Sequence, residues 1–185
     1  MRLISLSKEE VKDIYNNRMV MDFPRDELKP LSIIYNALDK GEYACLGLTE
    51  GEKILGYAFL AKGGGDYLVD YLAVDSKRRN EGLGGCMLRL MREMLHEADS
   101  VILEVEDPDF AEDEEQRTLR RRRMAFYLRN GLEETGVTAR CFGVPFIILE
   151  MGIRSRHSDD RIRELYKEHY KRLLPEKMYK ENIIV

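Results

Sequence analysis

The chain has 185 residues, 44% of them hydrophobic and 35% charged, a balance that fits a globular domain with a real core. Its formal net charge of −4 argues against nucleic acid as the main partner, because neutralising phosphates needs positive charge on the binding face. No apolar run approaches the roughly 20 residues of a membrane helix and no signal-peptide core is present, so a cytoplasmic chain without a membrane partner is expected.

Arg2 to Leu6 reads as a first strand. Ser7 with Glu10 three residues on forms a capping box, so a helix is predicted to start near Lys8. A second helix is predicted over Pro24 to Lys40, where Leu28, Leu31, Ile34 and Leu38 recur at helical spacing before Gly41. Glu42 to Leu48 and Lys53 to Leu60 flank the turn signal Thr49-Glu50-Gly51-Glu52 and read as a β-hairpin. After the glycines of Gly63-Gly64-Gly65-Asp66, Tyr67 to Val74 reads as a central strand, with Lys53 to Ala61 as its antiparallel partner.

Gly82 to Glu97 is strongly amphipathic, with Leu83, Met87, Leu90, Met91, Met94 and Leu95 on its apolar face. Ser100 to Glu106 is the next strand, followed by an acidic segment, Asp107 to Glu115, and a helix over Arg117 to Asn130 that Gly131 closes. Glu133 to Arg140 and Phe146 to Met151 read as the last two strands, and Asp159 to Leu174 as a charged C-terminal helix. The apolar end Ile183-Ile184-Val185 is expected to dock, with a neighbouring subunit as one partner, which leaves a homodimer open. The order β-α-α-β-β-β-α-β-α-β-β predicts an α/β layered domain with a mixed sheet over residues 1–152 and a helical extension over 153–185.

Cys45, Cys86 and Cys141 are scattered and lack C-x-x-C spacing, so neither a disulfide framework nor a metal site is expected. The chemistry gathers instead at Leu72-Ala73-Val74-Asp75-Ser76-Lys77-Arg78-Arg79-Asn80-Glu81-Gly82-Leu83-Gly84-Gly85, a strand joined to a helix by a glycine-bearing turn. Free N–H groups and the positive dipole end at a helix N-terminus bind phosphate, and glycine lets the backbone approach a ligand. A pyrophosphate site is predicted there. A P-loop needs Gly-Lys-Ser/Thr, and Gly84-Gly85-Cys86 does not supply it. A Rossmann turn needs a third glycine that this turn lacks.

The pattern R/Q-x-x-G-x-G/A, here Arg79-Asn80-Glu81-Gly82-Leu83-Gly84, resembles motif A of the GNAT N-acetyltransferase superfamily. Ala125-Phe126-Tyr127-Leu128-Arg129-Asn130-Gly131-Leu132 resembles that family's A-x-F-Y-x-x-x-G-F segment, with Leu132 where Phe is commoner. The resemblance covers roughly Tyr43 to Met151. It implies a mixed, largely antiparallel sheet flanked by helices, and transfer of an acetyl group from acetyl-CoA to an amine that the sequence does not identify. It also implies that Arg79, Asn80, Glu81, Gly82, Leu83, Gly84 and Gly85 hold the coenzyme pyrophosphate. The strand Leu72, Ala73 and Val74 would pair with the pantetheine arm, and the Val74 N–H would face the carbonyl oxygen.

The resemblance likewise implies Tyr127 as the acid that protonates the departing thiolate, with aromatic packing beside Phe126 as the other reading. Strand alternation puts Ile102, Glu104 and Glu106 on one face of a strand expected to be covered on both, so two carboxylates there need a reason. Glu104 matches the position of a base in some family members, with Glu106 as the alternative and an arginine partner as the bland reading for either. Many relatives carry an Asn soon after this strand, where this chain has the acidic segment and then Arg120-Arg121-Arg122-Arg123. Those arginines read either as contacts to a coenzyme phosphate or as a solvated helix face. The competing function is a non-catalytic acyl-CoA-binding module of the same fold.

Overall fold

The structure is a computed structural model that describes residues 1–25 and 27–185; Asp26, inside the helix expected over Pro24 to Lys40, lies outside the described residues. The fold is mixed α/β, a largely antiparallel open sheet with helices, and it divides into two compact units. The first holds Met1–Lys62 and Asp70–Met94, the second Gly63–Val69 and Leu95–Val185.

The first unit holds, in strand order, β1 (Arg2–Ser5), β2 (Tyr43–Glu50), β3 (Lys53–Gly63) up to Lys62 and the part of β4 (Asp66–Val74) from Asp70 on. The hairpin β2–β3 turns at Gly51, whose φ of +62° suits glycine, and its register shifts between Leu48 and Thr49. Helix α1 (Lys8–Ile14) starts at the expected capping box: Ser7 Oγ accepts from the Glu10 N–H and Glu10 accepts from the Ser7 N–H. Such a cap stabilises a helix by about 1 kcal/mol. The chain continues through a π turn at Tyr15–Met19 into α2 (Val20–Asp22). Helix α3 is Leu31–Asp39, shorter than expected, because Pro30 has no N–H and turns the residue before it away from helical geometry.

Tyr43, Tyr57, Phe59 and Tyr71 are all buried and form an edge-to-face aromatic layer, on which Phe23 packs 5.1 Å from Tyr71. Asp70 lies at its border, bonded by the Tyr43 hydroxyl and by Lys29 Nζ at 2.6 Å. Helix α4 (Leu83–Met94) buries Leu83, Met87, Leu88 and Met91. The expected apolar face is therefore rotated: Leu88 is inside, Leu90 is half-buried and Met94 is exposed.

In the second unit the order is β4, β5 (Ser100–Glu106), β7 (Val144–Gly152), β6 (Glu133–Cys141) and β8 (Ile183–Ile184). β4 runs parallel to β5 over Tyr67–Val69, and β7 runs antiparallel to the whole of β5. With a neighbour on each side, β5 buries Val101, Ile102, Leu103 and Val105, the apolar run expected of an interior strand. Helix α5 (Glu114–Arg129) is capped by Asp113, which accepts from the Gln116 N–H at 2.7 Å, and Gly131 follows its end at φ +83°.

Helix α6 (Asp159–Leu173) is capped by Ser158 and buries Ile162, Leu165, Tyr166, His169, Tyr170 and Leu173, an apolar stripe at helical spacing. Helix α7 (Glu176–Asn182) leads into β8, where Ile183 pairs with Cys141 and Ile184 with Arg140. The apolar end, expected to dock and open to a neighbouring subunit, thus docks on β6 of its own chain. Among the described residues no helix is long and apolar enough to cross a membrane.

His169, grouped with the charged tail in the sequence, is 1% exposed and lies against Gly63, where a Cβ would come within 3.2 Å of the imidazole. Its ring nitrogens have no hydrogen-bond partner among the described residues. Burial first, then Arg172 and Arg161, lowers its pKa from 6.5 to about 4. Between those values the unfolded chain takes up a proton here and the folded chain does not, so stability is full above pH 6.5 and falls as pH drops towards 4. Urea unfolding at pH 7 and pH 5 should show this loss, and His169→Leu should flatten the difference. An equal pH dependence in both proteins would rule the mechanism out.

Candidate functional site

β4 ends at Val74, and the Asp75 N–H bonds back to Leu55 O at 2.7 Å. The Asp75 carboxylate accepts from the Lys77 N–H at 2.9 Å and so starts a single 3-10 turn at Ser76–Arg78. Leu83, the first residue of α4, is 2% exposed and anchors the helix in the core. Between these two fixed points Asn80 and Gly82 adopt left-handed backbone, with φ of +68° and +78°. Alternation of left-handed with ordinary backbone turns successive N–H groups towards one concave side, a geometry that binds anions.

No side chain among the described residues accepts a hydrogen bond from the N–H groups of residues 79–85. Arg79, Asn80, Glu81 and Gly82 are exposed, and Gly84 and Gly85 are half-buried in the first turn of α4. A Cβ on Gly82 would meet nothing within 4 Å, so what demands glycine within the chain itself is the positive φ. Arg78 is held by Glu50 at 2.9 Å and Glu81 at 2.8 Å, which braces the turn from outside. Glu81 therefore enters as a brace, and Leu83 can offer a ligand only its backbone.

Leu72, Ala73 and Val74 are half-buried and lie beyond the last pair of the β4–β5 ladder, Val69 with Leu103. On β3, Gly56 lies so close to this stretch that a Cβ would stand 3.1 Å from Ala73 O and 3.4 Å from Met87 Sδ. That glycine lets β3, β4 and α4 approach one another. Sequence reading did not single it out, although a lone glycine inside a strand pattern signals close backbone approach.

The two remaining candidates lie in the second unit. Glu104 on β5 is half-buried, and its carboxylate accepts from two phenols of α6: the Tyr166 hydroxyl on Oε1 and the Tyr170 hydroxyl on Oε2 at 2.9 Å. Both tyrosines are almost fully buried, and their rings pack 4.9 Å apart. Burial first, and then the Glu104 charge, pushes the Tyr166 pKa far above that of an ordinary phenol, so it remains a donor. The sequence signal for these residues was tyrosines at i and i+4 on the apolar stripe of a helix whose charges masked it.

Glu106 is treated differently. Arg120 reaches its Oε1 at 3.3 Å and Arg123 bonds its Oε2, while Arg120 also donates to Asp107 O at 2.9 Å. The bland reading of an arginine-paired carboxylate describes Glu106, and two of the four arginines have this structural task. In the acidic segment, Asp107 and Asp113 cap the turns that follow them.

Tyr127 stands on α5, half-buried, with its ring edge-on to Phe126 at 5.1 Å. Burial raises its pKa, with Arg123 opposing the rise. The phenol is therefore protonated at neutral pH, and among the described residues its hydroxyl makes no hydrogen bond. Such a group can give a proton to a thiolate.

No protein-family model and no curated protein matches the chain. Solved structures do. A Bacteroides thetaiotaomicron protein described as a GNAT-family acetyltransferase superposes with a TM-score of 0.74 at 19% identity, covering 92% of this chain and 96% of its own. The ribosomal-protein-S18-alanine N-acetyltransferase of Escherichia coli gives 0.60 at 19% identity over 85% and 96%. A Bacillus subtilis acetyltransferase in complex with CoA gives 0.55 at 13% identity over 82% and 97%. Likeness at these identities is likeness of architecture, and the architecture of this chain is that of the GNAT acetyltransferases.

Proposed function

We propose that this chain is an acetyl-CoA-dependent N-acetyltransferase that passes the acetyl group directly to a primary amine. The observation that carries the reading is the turn before α4, where Asn80 and Gly82 are left-handed and a run of backbone N–H groups has no side-chain acceptor among the described residues. It is supported by the fold shared with the CoA-bound Bacillus subtilis acetyltransferase. In this reading residues 79–85 grip the pyrophosphate of the cosubstrate, and Leu72, Ala73 and Val74 offer backbone groups to its pantetheine arm.

The chemistry then assigns each remaining group a task. Glu104 accepts the proton that the attacking nitrogen loses, directly or through water. The Val74 N–H donates to the carbonyl oxygen as it gains charge. Tyr127 gives its proton to the sulfur as the carbon–sulfur bond breaks and the carbon–nitrogen bond forms. The products are an acetamide and free CoA, and the proton released from nitrogen balances the one delivered to sulfur.

The acceptor is not fixed by the fold. The acceptors named for similar structures range from a ribosomal-protein alanine to an aminoglycoside, the latter in an Enterococcus faecium enzyme that superposes at a TM-score of 0.63. CoA release measured against a panel of small amines, amino acids and peptides tests the reading. Acetyl-CoA binding without release against any of them would mark a binding module instead.

Two substitutions separate the roles. Tyr127→Phe should lower kcat by roughly 10²-fold while leaving the acetyl-CoA Kd from calorimetry unchanged; unchanged turnover would remove Tyr127 from the mechanism. Gly82→Ala forces a left-handed alanine, at a cost of about 1–2 kcal/mol, or a rearranged turn. It should weaken acetyl-CoA binding by about tenfold, since 1.4 kcal/mol is one decade in Kd. Equal affinity in that variant would count against pyrophosphate binding at the turn.

A further inference from the structure

We propose that helix α6 belongs to the amine-handling machinery, with Tyr166 and Tyr170 as positioning residues that hold the Glu104 carboxylate as a fixed, ionised group. This rests on the acetyl-transfer reading and extends it to a part of the chain outside the resemblance.

The bonding pattern carries the argument. Each oxygen of Glu104 receives one phenol proton, Oε1 from Tyr166 and Oε2 from Tyr170. A carboxyl group that accepts on both oxygens in this way is acting as the anion. One donor on each oxygen also stops the group from rotating about its last bond. Tyr170 is itself oriented: Cys141 Sγ lies 3.4 Å from its hydroxyl oxygen and can donate to it, which directs the hydroxyl's own proton to Glu104.

The helix is registered independently of this contact. Asp159, in its first turn, accepts from the Gly136 N–H at 3.0 Å, and a Cβ at Gly136 would overlap that carboxylate at 2.1 Å. The tyrosines at i and i+4 are thus brought to β5 by a helix whose position β6 sets.

Packing alone does not account for the arrangement. A half-buried carboxylate on an interior strand is costly unless donors meet it, and an apolar side chain in its place with Phe at both tyrosines would fill the space without that cost. Hydrogen bonds to a charged group are stronger than those to a neutral one, so two such bonds can retain an anion where the strand would otherwise exclude it. Phenols do this without adding positive charge. The carboxylate stays able to attract an ammonium group and, after that group loses its proton, to hold the proton.

The test uses the full-length protein with Tyr166→Phe, Tyr170→Phe and Glu104→Gln. Carbon-13 NMR of protein labelled at the glutamate side-chain carboxyl, with Glu104→Gln identifying the resonance, reads Glu104 titration without any need for activity. Each Phe variant should move the Glu104 midpoint upward by about one pH unit, since removing a donor to the charged form disfavours it. For an amine that supports CoA release, kcat/KM should fall about tenfold and the lower limb of its pH profile should move up by the same interval. The acetyl-CoA Kd should stay constant.

An unmoved Glu104 midpoint and pH profile in both Phe variants, with activity following only the melting temperature, would overturn the proposal. If the wild-type protein released no CoA with any amine while Glu104 still answered to the tyrosines, the acetyl-transfer reading would fall, and with it the amine-handling role. The hold of the helix on the carboxylate would stand.

Discussion

The burial of Leu83 constrains the candidate coenzyme site more than any other contact. With that side chain in the core and Asp75 tied to β3 through its own N–H, both ends of the turn are anchored. The seven residues between them must reverse from strand to helix in a fixed distance. Along that path Asn80 and Gly82 go left-handed. The strain is local and tolerable because one of the pair is glycine and the other is the side-chain type that best accepts this conformation. With it goes a set of N–H groups that no side chain among the described residues accepts. The anion site proposed here would follow from how the helix is anchored, with no cationic side chain required to create it.

β5 shows a second solution to a polar problem. It carries two carboxylates on one face, two residues apart, and the protein handles them by opposite means. Arg120 and Arg123 bring positive charge to Glu106 and tie α5 to the strand. Tyr166 and Tyr170 bring hydroxyls to Glu104, which satisfy the oxygens while leaving the charge in place. The first arrangement uses a carboxylate as a fastener. In the proposed reading the second keeps one as a chemical group, and the two glutamates, equal candidates by strand alternation, cease to be equal once their partners are known.

The sequence disclosed whatever depends on local rules. Ser7 and Glu10 specify a helix start through atoms four residues apart at most, and Gly51, Gly82 and Gly131 mark reversals that any backbone must obey. β5 was legible to the residue because both its ends carry polar breaks. The helix over Pro24 to Lys40 was overextended because apolar spacing was read through Pro30, where loss of the N–H outweighs periodicity. The facing of α4 was misjudged by one position, since Leu88 and Leu90 suit either side of an apolar arc and tertiary packing chooses. Partner identity was the least legible feature. Nothing near Glu104 in sequence announces Tyr166 or Tyr170, which come to it from about 60 residues away, and the docking of Ile183 on β6 depends on a pairing equally remote.

That remoteness bears on how the C-terminal helices should be understood. Residues 153–185 carry no motif of the superfamily, and sequence reading set them apart as an extension. In the structure they lie in the unit that also contains β5, β6 and β7. Their apolar stripe supplies Ile162, Leu165, Tyr166, His169, Tyr170 and Leu173 to its interior, and their last residues add a strand to its sheet. Without them Glu104 would lose both phenols and β6 would lose a neighbour. Taking donors away from a half-buried carboxylate favours its protonated form, and a protonated acid can neither attract an ammonium group nor accept its proton. The helix that looks most dispensable by motif is thus the one that brings both phenols to Glu104.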